Sequence, residues 1–150
     1  MVVVIAGGCI ARSGDGPDED PQRAAGELVS QLGLTDAGGD VPAAVHEQEL
    51  KLERSYYTVQ GRIEADDRED AVAQLTDRLA RSGWDIRSSE VVDLSLGHRI
   101  RALRRGLVVE VFTGPGSPDL PGFPPEEGRM WVALRVAVIG SGPAWATADT

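Results

Sequence analysis

The stretch SYYTVQGRIEADDREDAVAQLTDRLARSGWDI, residues 55–86, decides the fold. Tyr57, Val59, Gly61 and Ile63 alternate with Thr58, Gln60, Arg62 and Glu64, the period-2 pattern of a strand with one buried face. The period then changes. Val72, Leu75 and Leu79, with Ala71 and Ala80 beside them, share one helical face, while Asp67, Arg68, Asp70, Gln74, Asp77, Arg78 and Arg81 lie largely opposite. This predicts an amphipathic helix over about 67–82. Asp66 followed three residues later by Glu69 predicts a capping box at its start, and Gly83 ends it. Trp84-Asp85-Ile86 then opens a second strand, with Trp84, Ile86 and Ser88 expected on one face and Asp85, Arg87 and Ser89 on the other.

Toward the C-terminus, Gly97 marks a turn, and His98–Arg104 and Leu107–Thr113 form a hairpin about Arg105-Gly106, where glycine supplies positive φ. Residues 114–128 hold five prolines and four glycines and read as a loop. Arg129–Ile139 is the last strand; both its alternating sets are largely apolar, which predicts cover on both faces. Toward the N-terminus, Val45–Glu53 reads as either an edge strand or an irregular lead-in, because Leu50 and Leu52 alternate among helix-favouring polar residues. Residues 35–44 are a loop. A short helix is expected over about 22–32, capped by Asp20, with Pro21 at its first position and Gly33 stopping it. The expected architecture is α+β: a single two-layer domain over residues 22–140, with an antiparallel sheet of four or five strands in the order β-α-β-β-β-β. One amphipathic helix covers the sheet, a shorter N-terminal helix docks on it, and residues 141–150 form a tail.

Composition narrows the class. Of 150 residues, 41% are hydrophobic and 26% charged, as in folded globular domains. No apolar run approaches the roughly 20 residues that span a bilayer. The formal charge of −9 sets a nucleic-acid partner aside, since an acidic surface repels phosphates. Lys51 is the one lysine among 15 basic residues.

The single cysteine, Cys9, excludes an intrachain disulfide. It follows an apolar stub and small residues, MVVVIAGGC, and precedes ARSGDGPDEDP, a segment too polar to order itself. Residues 1–8 therefore read as the end of an export signal and Cys9 as a lipidated residue. Residues 9–21 read as a flexible tether; ten such residues span on the order of 17 Å. A full signal has a positive start and about 7–15 apolar residues, so either the start is truncated or the true start lies upstream. The expected location is the outer face of the cell membrane.

Few residues carry chemistry. His46 and His98 lie about fifty positions apart with no nucleophile elbow near them, and His46, Glu47 and Glu49 fall short of a metal motif. No cofactor or metal is expected. Trp84, Tyr56, Tyr57 and Trp131 either line a small pocket or fill the core. The uneven feature is basic: Arg99, Arg101, Arg104 and Arg105 cluster in HRIRALRRG. They read as a docking patch for an anionic partner, such as an envelope protein, acidic polymer or headgroup. The alternative is a solvated strand face pairing with Glu110 or Asp85 and guarding an edge.

Together, the lipobox-like Ala6-Gly7-Gly8-Cys9, the acidic tether, the strand Tyr57-Val59-Gly61, the capped helix and Gly83-Trp84-Asp85-Ile86 resemble small uncharacterised lipoproteins of actinobacteria. The resemblance covers about residues 1–139 and implies export and an α+β fold; it carries no catalytic residue. The function expected is that of a membrane-tethered, non-enzymatic binding or interaction domain. The alternatives are a cytosolic interaction domain, if the stub is no signal, or an accessory to an envelope enzyme.

Overall fold

A computed structural model describes residues 20–36, 41–50, 54–93, 97–115, 125 and 127–148. The elements in chain order are α1 (Pro21–Leu32), β1 (Val45–Leu50), β2 (Arg54–Glu64), α2 (Arg68–Arg81), β3 (Asp85–Asp93), β4 (Gly97–Arg104), β5 (Leu107–Gly114) and β6 (Arg129–Val138). The architecture is α+β. The strands form one antiparallel sheet in the order β1-β2-β6-β5-β4-β3. Six strands stand where four or five were expected, because 45–50 pairs with β2 from Val45↔Val59 to Leu50↔Arg54 and becomes an edge.

Both helices lie on the same face. Ala24, Ala25, Leu28 and Leu32 of α1 and Ala71, Leu75 and Leu79 of α2 join one buried cluster with Val59, Ile100, Val109, Val132 and Val136 of the sheet. Helix α1 packs on the β1-β2-β6 half and α2 on the β5-β4-β3 half. The Asp20 carboxylate accepts from the Gln22 N–H at 3.2 Å, and Gly33 closes α1 in the left-handed region at φ 70°. At α2 the cap is one residue later than expected: Asp67 accepts from the Asp70 N–H at 2.8 Å, and Asp70 accepts from the Asp66 N–H at 3.0 Å. Asp70, three residues beyond the true cap, takes the place expected for Glu69, but its carboxylate meets the N–H of Asp66, one residue before the cap, rather than that of Asp67.

The second correction lies in β3. Ile86 pairs with Ala102, yet Ser88 pairs with Arg101, so an extra residue intervenes. Such a bulge turns every later side chain to the other face. Ile86 packs on the helix side, while Ser88 and Glu90 share the opposite face with Arg101 and Arg99, their partners in β4. Ser89 and Val91 therefore join Ile86, contrary to the simple alternation.

The final strand sits in the interior of the sheet, between β2 and β5. On its second face Trp131 and Ala137 are buried, while Ala133 and Arg135 are half-buried. Cover there comes partly from the chain after β6, which turns back over the sheet. Ala146 is buried in a second small cluster with Val108 and Ala137, flanked by Tyr56, Leu103, Ile139 and Trp145.

Candidate functional site

With both helices on one face, the other face of the sheet carries a buried ionic network beside the small apolar cluster of Val108, Ala137 and Ala146. Its centre is Glu110, in the middle of the apolar run Leu107–Phe112 and 1% exposed. The register places Arg101 of β4 and Arg135 of β6 directly beside it on either side. Arg101 Nη1 donates to Glu110 Oε2 at 2.8 Å, and Arg135 donates to Oε1 from Nε at 2.9 Å and from Nη2 at 2.5 Å. Arg99 Nη1 stands 4.0 Å from Oε2 and gives its stronger contact, 2.6 Å, to Glu90. A buried carboxylate is tolerable only when charge and hydrogen bonds both answer it. Here both oxygens are met.

Two of these arginines also hold the segment that follows β6. Arg101 donates to the carbonyls of Trp145, at 2.7 Å, and Thr147, and at 2.9 Å to the Thr147 hydroxyl. The Arg135 guanidinium lies 4.4 Å from the centroid of the Trp145 ring and 5.5 Å from that of Phe112, within cation–π range. Tyr56 meets Trp145 edge-on at 5.4 Å. Beyond the tail, the half-exposed residues of this face include Arg99, Phe112, Ala133 and Arg135, with Thr58 and Ser88 beside them and Glu90 exposed.

The four arginines of the expected patch do not form one surface. Arg99 and Arg101 share the open face, where Arg101 is buried against Glu110. Arg104 turns to the helix side, with its guanidinium 4.5 Å from the Trp84 centroid, and donates to the Ser82 carbonyl at 2.7 Å and to Glu27 at 3.3 Å. Arg105 sits exposed in the hairpin turn at φ 47°, followed by Gly106 at φ 82°, the pair of positive values a type I′ turn demands. The Glu110 pairing is present; Asp85 instead contacts Arg87 at 3.3 Å, and the edge beside β4 is β3. Cys9 lies outside the described residues.

The aromatic set is likewise dispersed. Trp84 is buried in the main core, and Tyr57 packs at its margin. The Tyr57 hydroxyl donates to Glu47 at 3.0 Å; burial first, then that carboxylate, raises its pKa. Tyr56 belongs to the tail cluster, and Trp131 is buried on the open face. His46 is exposed on β1.

One pair was not foreseen. Ser89 Oγ lies 2.6 Å from His98 Nε2, on the helix side of β3 and β4. Burial, and then the charge of Arg68, hold the His98 pKa below the ordinary histidine value, with Glu90 opposing. A neutral imidazole of this kind can accept a hydroxyl proton. Among the described residues no hydrogen bond orients its other ring nitrogen, so the pair lacks the third member that a nucleophile needs. His98 also borders a shallow cavity of about 420 Å³ with Arg68, Val72 and Val91.

The fold and site define a class: an α+β domain with helices on one sheet face and a charge-centred, partly open second face. No family model, no curated protein and no solved structure matches the chain.

Proposed function

We propose that the protein is a membrane-tethered, extracytoplasmic lipoprotein domain that acts by binding, and that it docks an acidic partner on the open sheet face. The observation that carries the binding reading is the placement of Arg99 and Arg135, each with 30% side-chain exposure, beside the half-exposed Phe112. An aromatic surface flanked by cations is a favoured composition for an interface. Three arginines outnumber Glu90 and Glu110 on this patch, against a formal charge of −9 for the whole chain. Charge complementarity therefore selects acidic partners.

The tether rests on the sequence. Cys9 is separated from the Asp20 cap by a Gly-, Pro- and acid-rich segment, and no described helix is long and apolar enough to cross a membrane. Acyl chains on Cys9, at about 0.8 kcal/mol per buried CH₂, would hold the domain at the bilayer.

The test uses two variants of the full-length protein in its native envelope. Cys9→Ser is expected to abolish palmitate labelling and release the protein from the membrane fraction. Phe112→Ser combined with Arg99→Gln, which spares the Glu110 contacts of Arg101 and Arg135, is expected to erase the envelope cross-links of the wild type. Unchanged membrane partition in the first variant refutes the anchor; unchanged cross-links in the second refute the docking face.

A further inference from the structure

After β6 the chain leaves the sheet and returns over its open face. The Ile139 N–H donates to the Gly106 carbonyl at 2.8 Å, and the backbone then turns at Gly140 and Gly142, at φ 80° and 137°. Within the returning segment the hydrogen bonds are local. Gly140 donates to the Ala146 carbonyl at 2.8 Å, Ala146 to the Pro143 carbonyl at 2.9 Å and Thr147 to the Trp145 carbonyl at 3.0 Å. The segment thus keeps its own loop shape, and side chains of the sheet hold it in place. Pro143 and Ala146 are buried, the latter against Val108 and Ala137, while Trp145 and Thr147 are half-buried. A proline, an alanine and part of one ring bury little apolar surface beside the two helices on the other face.

What the sheet offers this segment is positive charge, and what the segment returns is neutral. Arg101, 5% exposed, donates to the carbonyls of Trp145 and Thr147 and to the Thr147 hydroxyl while keeping its Glu110 contact. The Trp145 ring lies against the Arg135 guanidinium, the same group that flanks Phe112 on the docking face. A carboxylate set on these arginines would add the attraction of a full negative charge, which a carbonyl or a ring does not supply. The segment therefore fills, with neutral acceptors and one aromatic ring, positions that an acidic partner would hold more strongly.

We propose that residues 143–148 form a strap that closes the open face as an internal stand-in for the acidic partner. The proposal deepens the docking reading above and rests on it. The strap lifts at Gly140 without unfolding of the sheet, because the β5–β6 ladder ends at Leu107↔Val138 and none of its bonds has to break. Lifting releases the Arg101 N–H groups that the strap now takes and bares the Arg135 guanidinium beside Phe112. Strap closure and partner binding then compete for one surface. The partner draws the equilibrium to the open state by its stronger hold there.

The test follows amide hydrogen exchange of the full chain and its binding of hexaglutamate by calorimetry, with sodium chloride at equal ionic strength as control. The Ala146 amide, buried and hydrogen-bonded, is expected to exchange at least about hundredfold faster than the amides of β5 in the sheet interior. Hexaglutamate is expected to speed it saturably, at least about threefold, with β5 unchanged. It is also expected to bind Trp145→Ala at least about fivefold more tightly than the wild type. Ala146 exchange as slow as that of β5, exchange that bound hexaglutamate leaves unchanged or slows, or no gain in affinity in Trp145→Ala would each overturn the strap. Equal binding of hexaglutamate to the wild type and to Phe112→Ser/Arg99→Gln would overturn the docking face instead, and no binding at all would overturn both. The exchange measurements need no variant, so a misfolded Trp145→Ala leaves the test intact.

Discussion

Replacing Glu110 with Gln isolates what the charge at the centre of the open face contributes. The amide keeps the shape and one acceptor oxygen, but Arg101 loses its counter-ion while remaining buried, and the half-buried Arg135 beside it loses the same partner. Breaking a buried ion pair from one side costs about 3–5 kcal/mol; the retained acceptor places Glu110→Gln near the lower end, about 3 kcal/mol. For a chain of 150 residues that corresponds to a fall in Tm of about 6–12 °C. The Glu90–Arg99 pair supplies the comparison: its 2.6 Å contact is as short as those at Glu110, but the side chains are 53% and 30% exposed. Solvent screens such a pair, and Glu90→Gln should cost about 0–1 kcal/mol. Urea unfolding of both variants, read by far-UV circular dichroism, separates the two cases. If Glu110→Gln falls within about 0.5 kcal/mol of Glu90→Gln, then burial does not set the strength of this network and the reasoning fails.

Gly97→Ala should destabilise by about 2–5 kcal/mol, because φ is 76° and a Cβ would stand 2.2 Å from the Thr113 carbonyl oxygen. Gly26→Ala, with nothing within 4 Å and a helical backbone, should be neutral or stabilising by up to about 1 kcal/mol; urea midpoints that move alike for both would refute the distinction. His98 is held below the ordinary value by burial and Arg68, so the unfolded chain binds its proton first as the medium is acidified. Its contribution to stability is full above about pH 6.5 and is lost as pH falls from there to the folded value. His98→Gln should therefore flatten the dependence of the urea midpoint between about pH 5 and about pH 8, and identical slopes for variant and wild type would count against it.

Much of the fold follows from local pattern. Period-2 and period-3.6 stretches identified β2, α2, the β4–β5 hairpin and β6, since each buries one regular face in the common core. The apolar content of both faces of β6 anticipated its interior position between β2 and β5. What local pattern does not carry is strand order, because the partners of β6 lie about 20 and 70 residues away along the chain. β1 stayed ambiguous for a different reason. Val45 packs on the core while His46, Glu47 and Gln48 are exposed, leaving little alternation to read.

The site shows the same division more sharply. Glu110 was visible as a cross-strand partner for arginines because a lone acid in LVVEVF must either face water or be answered. Arg135 was not, since it sits in a strand that reads as apolar on both sides, and only the β5–β6 register sets it against Glu110. The linear cluster HRIRALRRG misled in the opposite direction. Alternation separates Arg101 from Arg104, and the turn carries Arg105 away, so adjacency in sequence became dispersal in space. Ser89 and His98 met only because the bulge near Arg87 reversed the parity of β3. The open face is thus a product of register, and its arginines gain meaning from the strand beside them rather than from the run in which they occur.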